Sequence, residues 1–251
     1  MPIYDPKHVE YSINSGYIEI VLENGKKVPA YWAHPQMGGK FPALVLLHDW
    51  WGVVGIIRRL ANYFAQTGYY VIVPDLFDKQ TANTPKEAMA LVEKLDETEG
   101  RMRVYTAIDV VERHHQTNRQ TGVVGLGMGG SLALDAALHH PHLEAVVAFS
   151  GFPHRNLGKF NECKIPIFAC YGSLEPHIAP PIIHRLRDEL AQSPDAVKHR
   201  VEMVNGLAHE FFSDQLTEAQ RDLSRQALKM ATDFLDQHLH RPLPRRAIQR
   251  M

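Results

Sequence analysis

The chain predicts an α/β fold: a mostly parallel central sheet opened by an antiparallel hairpin, with helices on both faces. Three observations predict it. The apolar runs Ala43 to Leu47 and Tyr70 to Val73 are continuous rather than alternating, as in strands buried on both faces. Amphipathic helical patterns alternate with such runs along most of the chain. A length of 251 residues, 45% of them hydrophobic, suffices for a buried parallel sheet in one domain.

The elements follow in order. Tyr17 to Leu22 and Lys27 to Ala33 are joined by Glu23-Asn24-Gly25-Lys26, and Asn-Gly is the strongest short hairpin signal. Between the strands at Ala43 and Tyr70, Ile56, Ile57, Leu60, Ala61 and Phe64 mark a helix. Thr84-Pro85 caps another through Ala88, Leu91, Val92 and Leu95, and Val104, Tyr105, Ile108 and Val111 mark the next. Strands at Val123, Ala145 and Ile165 to Tyr171 then alternate with helices near Leu132 and Ile182. A strand around Val201 to Val204 and a long helix (Leu223, Ala227, Met230, Phe234) finish a single domain over residues 1–240. Residues 241–251 form a basic, Pro-containing tail expected to be flexible.

Composition narrows the function. A formal net charge of −1 argues against nucleic acid or an anionic membrane as the main partner. Met1-Pro2-Ile3-Tyr4-Asp5 lacks the basic start and apolar core of a secretory signal, and no apolar run reaches membrane-span length. Cys163 and Cys170 lie in or beside one predicted strand, which reads as reduced thiols in a cytoplasmic protein. His114-His115 and His139-His140-Pro141-His142 read as helix ends. Neither group has a carboxylate or Cys at zinc-ligand spacing, so neither a metal nor a cofactor is expected.

The segment Gly125-Leu126-Gly127-Met128-Gly129-Gly130 carries most of the functional information. It follows an apolar strand (Val123, Val124) and opens a helix through Leu132, Ala133, Ala136 and Ala137. Strand, sharp Gly-rich turn and helix frame a nucleophile elbow, in which the third residue carries Ser or Cys. Here that residue is Gly127. The same letters satisfy the dinucleotide fingerprint G-x-G-x-x-G, which needs an acid at the end of the next strand to hold the ribose. The strand from Ala145 to Phe149 ends instead in Ser150-Gly151-Phe152, and its nearby acid, Glu144, precedes it. The dinucleotide-binding alternative is therefore the weaker one.

His48-Asp49-Trp50-Trp51-Gly52, Gly68 to Phe77 ending in Pro-Asp-Leu-Phe, the Gly125 to Gly130 turn, Tyr171-Gly172-Ser173-Leu174-Glu175 and Gly206 to Phe211 together carry a resemblance. From about Tyr17 to the last helix, the chain resembles the dienelactone hydrolase family of the α/β-hydrolase fold. The resemblance implies a Cys or Ser nucleophile, a carboxylate and a His base in that chain order. Those places hold Gly127, Glu175 and His209. It also puts Asp49 where the family generally has a Glu contacting the resting nucleophile. Relatives grip a substrate carboxylate with an arginine four residues beyond the base, and that place is Ser213. Arg101 and Arg103, read as lying before a helix, could offer a substitute charge, but solvation at the helix surface is the preferred reading for both.

An oxyanion hole needs only backbone, here the N–H of Met128 and, from the His48 to Gly52 loop, that of Trp50. Asp49 and Trp51 are the candidate substrate-binding residues, with packing the competing role for the tryptophans. The implied substrate is a small-molecule ester or lactone. Two function classes follow. One is an ester or lactone hydrolase impaired by Gly127, in which His209, steered by Glu175, activates a water in the space left by the missing side chain. The other is a pseudoenzyme that binds a small molecule or serves as a scaffold.

Overall fold

The structure is a computed structural model that describes residues 11–22 and 25–241. The hairpin residues Glu23 and Asn24 and the tail from residue 242 lie outside the described residues.

The chain opens with β1 (Ile13–Val21) and β2 (Lys27–Pro35), paired antiparallel from Val21↔Lys27 to Ile13↔Pro35. The predicted antiparallel hairpin is present, with strands longer at their outer ends. β3 (Phe41–Leu47), α1 (Gly55–Gln66) and β4 (Tyr70–Pro74) follow, then α2 (Pro85–Lys94) and α3 (Glu97–Glu112). β5 (Thr117–Leu126), α4 (Met128–His139), β6 (Ala145–Phe149), β7 (Ile167–Gly172), α5 (Pro180–Ala191), β8 (Arg200–Val204) and α6 (Glu218–His238) complete the domain. Short 3₁₀ turns fill the connections after β6 and before β8.

The eight strands form one sheet in the order β1-β2-β4-β3-β5-β6-β7-β8. β2 meets β4 antiparallel, and every pairing from β4 through β8 is parallel. All residues of β3, β4, β6 and β7 are buried, as their unbroken apolar runs require of strands covered on both faces. One face is covered by α1 and α6 through Ile57, Leu60, Phe64, Leu228 and Phe234. The other is covered by α2 to α5 through Leu91, Ile108, Leu134 and Leu186.

Helix starts follow local chemistry. Thr84 and Glu87 form a reciprocal capping box with Pro85 at the first position, and Thr217 with Gln220 does the same for α6. Asp96 caps α3 by accepting from the Glu99 N–H. The chain moves outward from β3 to β4 and then returns to place β5 on the other side of β3. Such a reversal opens a crevice beyond the carboxyl ends of the two strands, where open α/β sheets hold their ligands.

Candidate active site

The loops after β3, β5, β6, β7 and β8 meet at the carboxyl edge of the sheet. Gly127 links β5 to α4 with φ 49° and ψ −111°, a backbone that a side chain bearing Cβ rarely adopts. The turn is crowded on every side. A Cβ on Gly125 would lie 2.1 Å from the Gly129 carbonyl oxygen, and one on Gly130 2.9 Å from the Gly151 Cα. Backbone contact therefore seats the first turn of α4 against the end of β6.

The space beside Gly127 is filled. A Cβ there would stand 2.3 Å from Asp49 Oδ1, 2.4 Å from Cγ and 2.5 Å from Oδ2. Asp49 Oδ1 accepts the N–H of Trp50 at 2.7 Å and that of Met128 at 2.9 Å. The two backbone donors expected to form an oxyanion hole thus hold a carboxylate of the chain itself. This corrects the expectation of a water in a space left by the missing side chain. β3 and β5 are hydrogen-bonded neighbours, so the loops that follow them converge and bring Asp49 onto the turn.

His48 sets the loop that carries this carboxylate. The Leu76 N–H donates to His48 Nε2 at 3.0 Å, so the ring proton is on Nδ1 and donates to the Asp49 carbonyl at 2.7 Å. Burial pushes the His48 pKa down, in keeping with a neutral ring that accepts at one nitrogen. Trp51 packs edge-on against Trp50, with ring centroids 5.2 Å apart, and its carbonyl accepts from the Ala82 N–H.

Glu175 and His209 form a pair. Glu175 lies between β7 and α5, and His209 between β8 and α6. His209 Nδ1–H donates to Glu175 Oε2 at 2.8 Å, and the His177 N–H donates to Oε1 at 2.8 Å. The extra methylene of Glu relative to Asp does not spoil the reach. The two side chains are 3% and 13% exposed for Glu175 and His209, so the pair is largely shielded from water. Burial raises the Glu175 pKa, but the His209 and His177 hydrogen bonds outweigh it and hold the carboxyl low. Burial lowers that of His209, yet the Glu175 bond and the charges of Glu175, Asp49 and Glu210 leave it raised. Asp49 is raised as well, because burial outweighs its two backbone hydrogen bonds and the His209 charge.

The two halves of the site are tied together through the end of β6. Ser150 Oγ donates to the His209 carbonyl at 2.9 Å. The Phe152 N–H donates to Ser131 Oγ, and Ser131 Oγ donates to the Gly127 carbonyl. The Phe152 ring sits 5.4 Å from that of His209, and His177 packs edge-on against the same imidazole at 5.0 Å. Sequence reasoning missed His48, Ser150, Phe152 and His177. The signals present were the His48 to Gly52 segment and the Ser150-Gly151-Phe152 step after a buried strand, and neither gave these side chains a role.

Arg101 and Arg103 lie inside α3, not before a helix. Arg103 is buried at 2% exposure, where it bridges Asp78 and Glu99 and donates to the Asp75 carbonyl. Arg101 is half-exposed and pairs with Asp135. Neither is a free surface cation. Cys163 and Cys170 are both free and buried. Among the described residues no group of three or more His, Cys, Asp or Glu is placed to hold a metal, and no helix is long and apolar enough to cross a membrane.

A family model described as the dienelactone hydrolase family matches residues 28–239. The protein usf of Aquifex pyrophilus is 28% identical over 203 residues, 77% of this chain and 85% of that protein. The carboxymethylenebutenolidase of Rhodococcus opacus is 30% identical over 169 residues, 62% of this chain and 65% of that one. The crystal structure of the dienelactone hydrolase from Anabaena variabilis superposes with a TM-score of 0.69 at 19% identity, covering 91% of this chain and 100% of that one.

Proposed function

Because the chain belongs to the dienelactone hydrolase family, we propose that it is a dienelactone-hydrolase-like protein of the carboxylic-ester and lactone hydrolase class in which the acyl-enzyme route is closed. The observation that carries this is the Asp49 carboxylate, which takes the place of a side chain at residue 127 and both N–H donors beside it. An acyl-transfer site needs a nucleophile and a vacant pair of donors for the developing oxyanion. Gly127 supplies no nucleophile, and Asp49 holds the donors. Loss of the nucleophile alone costs a triad enzyme about 10⁶-fold in kcat. Glu175 and His209 act as the retained acid and base, and Asp49 and Trp51 are the candidate contacts for a small ester or lactone. The two free, buried thiols support a cytoplasmic setting.

The occupied donors also favour a second reading, a small-molecule-binding or scaffold protein without turnover. Rapid mixing with an activated aryl ester separates both from an ordinary esterase. The expected result is no burst of product, no acyl adduct by intact mass, and slow residual hydrolysis that disappears in His209→Ala. A burst equal to the enzyme concentration would overturn the proposal. Ester-analogue binding without residual hydrolysis would select the second reading.

A further inference from the structure

We propose that Asp49 is itself a nucleophile, and that the chain hydrolyses substrates bearing an electrophilic saturated carbon with an anionic leaving group, an alkyl halide above all. The inference rests on the reading that no nucleophile is supplied by residue 127, and it goes beyond that reading by naming what acts instead.

The geometry distinguishes the two Asp49 oxygens. Oδ1 is pinned by the Trp50 and Met128 N–H groups, while no hydrogen bond reaches Oδ2 among the described residues. Both oxygens lie within 2.5 Å of where a Cβ of residue 127 would be, the region from which an elbow side chain attacks. His48 fixes the backbone that carries the carboxylate, through its Nδ1–H to the Asp49 carbonyl. It is thus a largely desolvated carboxylate, held at one oxygen with the other in reserve, and near enough to His209 for each charge to bear on the other.

That arrangement is wrong for attack on an ester carbonyl. The oxyanion would need the donors that Oδ1 already holds, and the product would be an anhydride. It is right for displacement at saturated carbon, where no oxyanion forms in the first step. Oδ2 attacks the carbon, the carbon–halogen bond breaks, and the halide leaves with the bonding pair. The result is an alkyl ester of Asp49 whose carbonyl oxygen, Oδ1, already sits between the two donors. His209 Nε2, with Nδ1 held by Glu175, then takes a proton from water, and the hydroxide adds to Asp49 Cγ. The oxyanion now develops on Oδ1, where the Trp50 and Met128 N–H groups stabilise it. Collapse breaks the Cγ–Oδ2 bond, and the alcohol leaves with the proton that His209 holds. The carboxyl that remains, with one oxygen from water, loses its proton to solvent. Alkyl halide and water have become alcohol, halide and a proton.

The leaving-group class follows from what surrounds the site. An epoxide oxygen would need an acid to protonate it, and the nearby phenol of Tyr171 is buried and donates to the Gly151 carbonyl. A halide leaves with the bonding pair and needs no proton, so displacement at an alkyl halide asks for no acid at the leaving group.

The test uses the full chain and primary bromoalkanes, with bromoacetate as the anionic arm. In His209→Gln the first step should run and the second stall, so intact mass should show one alkyl group per protein, mapped to the Asp49 peptide and lost in His209→Gln/Asp49→Asn. Burial pushes the Cys163 thiol up to about 11 and Cys170 higher still, so alkylation at sulfur is a slow background. In the unmodified protein, a single turnover in water carrying heavy oxygen should label Asp49 and leave the first alcohol unlabelled. Label appearing in the first alcohol, or a folded His209→Gln that gains no adduct at Asp49 from either arm, would overturn the proposal. Either failure leaves the closed acyl route standing, because that is judged separately by the ester burst.

Discussion

A thiol placed at residue 127 should collide with the Asp49 carboxylate before it can serve as a nucleophile, and the collision has a size. The backbone at φ 49° strains any residue with a Cβ by about 1–3 kcal/mol. The new Cβ would also lie 2.3–2.5 Å from three Asp49 side-chain atoms, so the carboxylate must swing away from the Trp50 and Met128 N–H groups. Hydrogen bonds to a charged acceptor contribute about 1.5–3 kcal/mol each, and hydration of the displaced carboxylate returns a share. Asp49→Ala loses the same two bonds without any clash. Gly127→Cys/Asp49→Ala therefore loses them once, whereas the two single variants lose them twice between them. The double variant should be more stable than additivity predicts by about 1.5–3 kcal/mol, within the range seen for residues in contact. Urea denaturation of the four proteins measures this. The double variant should also show an ester burst greater than that of Gly127→Cys, because its donors are vacant. Stabilities additive to within about 0.5 kcal/mol would refute the placement of Asp49.

The Glu175–His209 pair should give the protein a bounded pH window. His209 is held above its ordinary 6.5, so its contribution is complete below that pH and fades as pH rises through the folded value. Glu175 is held below its ordinary 4.5, so its contribution is complete above that pH and fades as pH falls through the folded value. The stability difference between the unmodified protein and His209→Gln should therefore peak between the two, and a difference that grows toward alkaline pH would contradict the pairing. Arg103→Met should cost about 1.5–3 kcal/mol in urea denaturation, because three acceptors lose a buried charged donor. The figure falls short of a wholly buried pair because Asp78 and Glu99 are 53% and 31% exposed and can rehydrate; a loss under about 0.5 kcal/mol would show Arg103 to be solvated as first expected.

Much of the fold was legible because its signals are local. Continuous apolar runs marked β3 and β4 as strands buried on both faces, and Thr84-Pro85 marked the start of α2 to the residue. The start of α3 was misjudged, since its cap, Asp96, is one ordinary acid among several and the apolar pattern begins only at Val104. Arg103 was read as solvated for the same reason. Its partner Asp78 lies 25 positions away, beyond the end of β4, and nothing in a helical pattern points there.

The candidate site divides along the same line. The chain by itself determined which residue types stand at the strand ends: Gly127 after β5, Glu175 after β7 and His209 after β8. It also determined that Gly127 could take a left-handed backbone without strain, because that depends on one residue's lack of a Cβ. Only the tertiary structure decided what Asp49 does. In the sequence it was a candidate substrate-binding residue, standing where the resembled family has a Glu against the nucleophile. Its second donor, Met128, is 79 positions away, and the two meet because β3 and β5 pair side by side in the sheet. Propensity and periodicity act over a few residues, whereas the place of a charge depends on which distant segments the strand order brings against it.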